Sequence, residues 1–113
     1  MAKTFRIKRN DTKPYLAAQI QDSTGSAVDL TSTSAIYFNL STNDNTYTPV
    51  FSGLATITGS DTGNVEYRWT SANTNRSGLY LGEFEVTFTD SSKLTVPADH
   101  SFSVNIFEDY NGS

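Results

Sequence analysis

The side chains able to do chemistry are few, and their spacing does not suit catalysis. His100 is the single histidine; Asp99 precedes it, Ser101 follows it, and Ser103 lies nearby. A base beside hydroxyls would activate a nucleophile if the groups converged. Neighbours on an extended strand point to opposite faces, so Ser101 is badly placed to meet His100. There is no Gly-x-Ser-x-Gly elbow. Glu83 and Glu85 stand two residues apart, which on a strand separates their Cβ atoms by ~6.5–7 Å on one face. That spacing invites a glycosidase reading, yet such pairs come from separate elements across a cleft. Asn43-Asp44-Asn45 and Asp61-Thr62-Gly63-Asn64 carry the oxygen donors calcium takes. Neither has EF-hand spacing, and the same residue types make turns. No phosphate-cradling Gly-rich motif and no aromatic-plus-basic strand face for bases occurs. The expectation is a chain with no enzymatic activity, no cofactor and no metal site.

What remains is chemistry of contact. Tyr15, Tyr37, Tyr47, Phe107 and Tyr110 fall outside every set of residues expected to point inward. Aromatic side chains of this kind anchor protein interfaces, cover the ends of a sandwich, or form a platform for sugars. Charge is unevenly spread along a chain of net charge −4. Residues 1–13 hold Lys3, Arg6, Lys8, Arg9 and Lys13 against Asp11, while the rest holds three basic and eleven acidic residues. Such polarity suits docking of the basic end on an acidic partner or head-to-tail contact between copies. It also suits an edge strand guarded by Lys and Arg. The residues named for contact are Lys3, Arg6, Lys8 and Arg9 at the edge, with Phe107 and Tyr110 near the end.

The elements that would carry these residues read as strands. Apolar and polar residues alternate at Phe5–Ile7, Leu16–Ile20, Ile36–Leu40, Val65–Trp69, Tyr80–Phe88 and Phe102–Ile106. Period-two alternation puts one face inward and one outward, whereas no long window has helical spacing. Gly-, Asn-, Asp- and Pro-containing stretches separate the runs, as turns require. Pro49 and Pro97 mark strand ends or edges, because proline cannot donate to a ladder. The expected core is Ile7, Leu16, Ile20, Ile36, Phe38, Val65, Tyr67, Trp69, Tyr80, Phe84, Val86, Phe88, Phe102, Val104 and Ile106. Short strands at this spacing predict an all-β, immunoglobulin-like antiparallel β-sandwich of seven to nine strands. Gly78 and Tyr80 open the longest strand, where such sandwiches place a Tyr whose hydroxyl bonds back to loop backbone. Trp69, the single Trp, lies on the strand before that loop, and Gly82 stands where antibody domains have a Cys.

Length and composition set the outer bounds. The chain has 113 residues, enough for one domain and too few for two. We read residues 1–113 as that single domain, with a core over about 4–107 and a polar tail at 108–113. Without cysteine there are no disulfides and no thiolate ligands. Thr, Ser and Asn (16, 14 and 9 residues) supply polarity that charged residues, at 18%, do not. An acidic chain is a poor candidate for binding nucleic acid. No stretch has signal-peptide or membrane-helix character, so export by a standard route and membrane insertion are not expected.

Five landmarks in order carry a family resemblance. They are Asn10-Asp11-Thr12-Lys13-Pro14, Asp22-Ser23-Thr24-Gly25-Ser26-Ala27-Val28-Asp29-Leu30-Thr31, Gly63-Asn64-Val65-Glu66-Tyr67-Arg68-Trp69, Gly78-Leu79-Tyr80-Leu81-Gly82-Glu83-Phe84-Glu85-Val86 and Thr95-Val96-Pro97. The set resembles the immunoglobulin-like N-terminal domain of tailed-phage baseplate upper proteins and related small virion structural proteins. It spans about residues 5–107. Asn10 stands where the family often has Gly, and Asn is the residue that best replaces Gly at positive φ. The resemblance implies a structural protein of the neck, tail, baseplate or capsid surface, made in the bacterial host cytoplasm and built into the virion. Its partners would be other phage structural proteins and copies of itself. A baseplate upper protein continues into further segments, so the expectation is a one-domain virion component. The alternative is a carbohydrate-binding or capsid-decorating module, with a host glycan as ligand.

Overall fold

The computed structural model describes residues 3–44, 46–97 and 102–108. Among them are nine strands and no helix. The strands are β1 (Lys3–Lys8), β2 (Leu16–Gln19), β3 (Thr33–Thr42), β4 (Pro49–Leu54) and β5 (Thr56–Gly59). They continue with β6 (Asn64–Tyr67), β7 (Gly78–Phe88), β8 (Lys93–Val96) and β9 (Phe102–Phe107). The larger sheet runs β1-β9-β7-β3-β4, with β8 also on β7, and the smaller runs β2-β6-β5. The long β7 pairs β3 along one edge. Its other edge is shared, Gly78–Leu81 with β9 and Phe84–Thr87 with β8. This is the expected immunoglobulin-like sandwich.

One pairing departs from the antiparallel expectation: β1 lies parallel to β9. Hairpin-linked strands must be antiparallel, but these two come from opposite ends of the chain, so no turn dictates their sense. A second difference concerns β4 and β5. They are separated only by Ala55 yet belong to different sheets. The Ala55 N–H donates to the Ile36 carbonyl at 2.9 Å, so the crossing residue keeps a backbone partner.

The core fills the space between the sheets. Thirteen of the fifteen expected core residues are buried, while Phe88 and Phe102 are partly buried and pack against the rest. Phe38, fully buried, is the hub. Its ring centroid lies 5.0 Å from Tyr67, 5.1 Å from Phe84 and 5.6 Å from Trp69. Trp69, just beyond β6, stacks on Phe5 of β1 at 5.7 Å. Aromatic pairs at these separations add to the gain from buried area. Leu30, Leu40 and Leu81 are also buried.

Two local devices hold the start of β7. The Tyr80 hydroxyl lies 3.1 Å from the Arg76 carbonyl and 3.2 Å from that of Ser77, as the tyrosine reading predicts. Gly78 has φ +149, and a Cβ there would meet the Tyr80 hydroxyl at 3.2 Å. Gly82 faces inward, and a Cβ on it would come within 2.9 Å of Phe102 and 3.0 Å of Phe38. The loop before β7 is tied to the one after β1: Thr74 Oγ1 donates to the Asp11 carbonyl at 2.8 Å. The Asn10 N–H donates to the Thr74 carbonyl at 2.9 Å, and Asn10 has the positive φ (70) expected of it.

Candidate functional site

Some of the contact-forming side chains gather on the outer face of the larger sheet, because strand parity and register bring them there. Ile7 of β1 faces inward, so Arg6 and Lys8 take the opposite parity. Arg6 lies opposite Asn105 and Lys8 opposite Phe107. The Arg6 guanidinium carbon sits 5.1 Å from the centre of the Phe107 ring. Across β9, Asn105 pairs with Leu79 of β7, which is 51% exposed. Arg6, Lys8, Phe107 and Leu79 thus form a basic and apolar corner carried by three rigid strands.

The other expected contact residues are placed differently. Lys3 opens β1 opposite Phe102, at the far end of the strand from Lys8. Arg9 follows the strand, and its Nε lies 3.4 Å from a carboxylate oxygen of Glu108, which also accepts a hydrogen bond from Ser77 Oγ. Tyr110 lies outside the described residues, as do Asp99, His100 and Ser101.

A second corner occupies β3, β4 and the middle of β7. Asn39 stands between Ser52 and Glu83, and Tyr37 stands between Leu54 and Glu85. Ser52 Oγ donates to Asn39 Oδ1 at 2.6 Å, and Asn39 Nδ2 donates to Glu83 Oε2 at 3.4 Å. Leu54 is 65% exposed and Tyr37 40%. Both glutamates are half-buried on one open sheet face. Both come from one strand, whereas paired-carboxylate hydrolysis sets its two carboxylates across a cleft.

Tyr15, on the smaller sheet's side, is flanked by cations. Lys13 Nζ lies 5.6 Å and the Arg68 guanidinium carbon 5.5 Å from its ring centre. Glu66, whose Oε2 accepts from Arg68 Nε at 2.7 Å, holds the guanidinium in its charged form. The oxygen-rich loops are turns. Asp44 Oδ1 accepts from Thr42 Oγ1, from Thr46 N and Oγ1, and from Tyr47 N. Gly63 supplies positive φ (73), and Thr62 Oγ1 donates to the Gly59 carbonyl. Among the described residues, no three His, Cys, Asp or Glu side chains gather as around a metal ion. No helix there is long and apolar enough to cross a membrane.

Leu79 and Leu54 were not singled out from sequence, although a signal was present. Leu79 occupies the solvent parity of a strand whose core parity is set by Tyr80 and Phe84. A leucine at that parity marks an apolar outer face.

No protein-family model matches the chain, and no curated protein matches it. Among solved structures it is similar to CopC from Methylosinus trichosporium OB3b, at 13% identity over 96% of this chain and 86% of that one, with a TM-score of 0.53. At that identity the likeness is one of fold alone, and fold does not carry function.

Proposed function

We propose that this chain is a non-enzymatic assembly module of a tailed-phage virion, at the neck, tail, baseplate or capsid surface. It docks rigidly through the basic corner of its larger sheet onto an acidic patch of a neighbouring structural protein or of another copy. The observation that carries the docking is the Arg6 guanidinium over Phe107 beside exposed Leu79. Arginine and aromatic side chains in one patch are the usual anchors of an interface. Strands hold these groups in place before contact, so little ordering entropy is lost on binding. The phage assignment is supported by the five ordered landmarks of the sequence, whose family has an immunoglobulin-like fold.

The test is incorporation into particles. Arg6→Glu combined with Lys8→Glu should lower incorporation at least tenfold and leave the melting temperature and far-ultraviolet dichroism unchanged. Normal incorporation of the folded double variant would overturn the docking surface. Charge-driven docking also weakens with salt, because exposed charges are screened within ~10 Å at 0.1 M.

A further inference from the structure

The second corner of the same face is built differently, and we infer that it is a binding groove for neutral saccharides, taking hexose or N-acetylhexosamine units. The groove has a volume of about 490 Å³, within the range of small-ligand sites. Asn39, Ser52 and Glu83 give it polar groups, Pro49 and exposed Val50 an apolar part, and Tyr47 an aromatic one.

This combination matches a pyranose, which has an apolar face of C–H groups and a rim of hydroxyls. Each hydroxyl both donates and accepts, so a sugar needs donors and acceptors side by side. The β3–β7 register sets an amide directly opposite a carboxylate: Asn39 Nδ2 lies 3.4 Å from Glu83 Oε2. That contact is long for a hydrogen bond, so both groups gain by turning to two adjacent sugar hydroxyls. Ser52 holds Asn39 Oδ1 at 2.6 Å, which orients the amide with its N–H groups toward Glu83.

The aromatic contributor is held in position by its loop. Tyr47 has φ 49 and is 42% exposed. Positive φ is costly for a bulky residue and persists where the surroundings impose it. Here Asp44 imposes it, by accepting from the N–H groups of Thr46 and Tyr47 and from the hydroxyls of Thr42 and Thr46. Charge then selects the class of sugar. Glu83 lines the groove, and Glu85 lies two residues along the same face. Two carboxylates repel sialylated and uronate sugars and leave neutral ones.

The site is separate from the basic corner, and the two are tested apart. Backbone amide shifts of the full chain are followed by NMR during titration with maltohexaose, triacetylchitotriose and, as an anionic control, oligogalacturonate. Saturable shifts with at least one neutral probe are expected, centred on Asn39, Ser41, Tyr47, Ser52 and Glu83. Asn39→Ala should weaken binding at least tenfold. Tyr47→Gly should do the same, and glycine tolerates that φ, so ring loss is read without backbone strain. Arg6→Glu with Lys8→Glu should leave the titration unchanged. The inference fails if neither neutral probe shifts these residues, if the shifts map elsewhere, or if oligogalacturonate binds as tightly. It also fails if the folded Tyr47→Gly and Asn39→Ala variants bind like the parent.

Discussion

Single residues in the first half of β7 set its local packing. Gly82 is required because Phe38 and Phe102 occupy the volume a side chain would need. Gly82→Val therefore overpacks the core, at a cost of about 1–3 kcal/mol. For a domain of this size, each ~1 kcal/mol lowers the melting temperature by roughly 4–8 °C. Thermal denaturation checks this, and an unchanged midpoint would show that the rings have room to move. The Tyr80 hydroxyl is worth less. Tyr80→Phe removes the donor that the Arg76 and Ser77 carbonyls share. A loss of about 1 kcal/mol is expected, the usual net value of such a bond. Chemical denaturation should show it as a lower midpoint with the same slope.

At the scale of elements, the turns use one device repeatedly. Asp22, Asp29, Asp44 and Asp90 each accept from the backbone N–H and the hydroxyl of the Thr or Ser two residues on. The hydroxyl bond is the main reason each carboxyl is held below its ordinary value of 3.8. A carboxyl whose folded value is depressed stabilises the fold fully above its unfolded value. That contribution is lost as pH falls through the lower folded value. Melting temperature should thus hold steady above the ordinary aspartate range and fall on acidification below it. A variant with all four aspartates changed to Asn should lose most of that acid slope. If the variant keeps the parent's slope, other groups set the acid limit.

At the scale of the whole molecule, one aromatic cluster joins the sheets. Trp69 and Tyr67 come from the smaller sheet's side, and Phe5, Phe38 and Phe51 from the larger. Trp69 touches all four of the others at centroid separations of 5.2–6.2 Å. Neither sheet can bury its apolar face without the other, so the domain should unfold in a single step. Trp69 is the single tryptophan, and its fluorescence reports the interface between the sheets. Its unfolding midpoint should coincide with that from far-ultraviolet dichroism, and separate midpoints would show that the sheets melt independently. Phe38→Ala should cost about 3–5 kcal/mol, a large part of the total for an ordinary domain.

Which side chains point inward, and so most of the interior, is legible in the residue pattern alone. Period-two alternation assigns each side chain to a face wherever a strand forms, and thirteen of the fifteen expected core residues are buried accordingly. Turn residues were legible for the same reason, since Asp-x-Thr and Asn at positive φ are local chemistry. The tertiary structure decided everything that depends on which strand lies beside which. Parity places Arg6 on an outer face, but only the β1–β9 register puts Phe107 beneath its guanidinium. Asn39 and Glu83 are 44 residues apart in the chain and meet only through the β3–β7 ladder. The parallel sense of β1 and the change of sheet at Ala55 were equally invisible. Alternation encodes a face, whereas neighbours across a sheet are set by long-range pairing that no local pattern records.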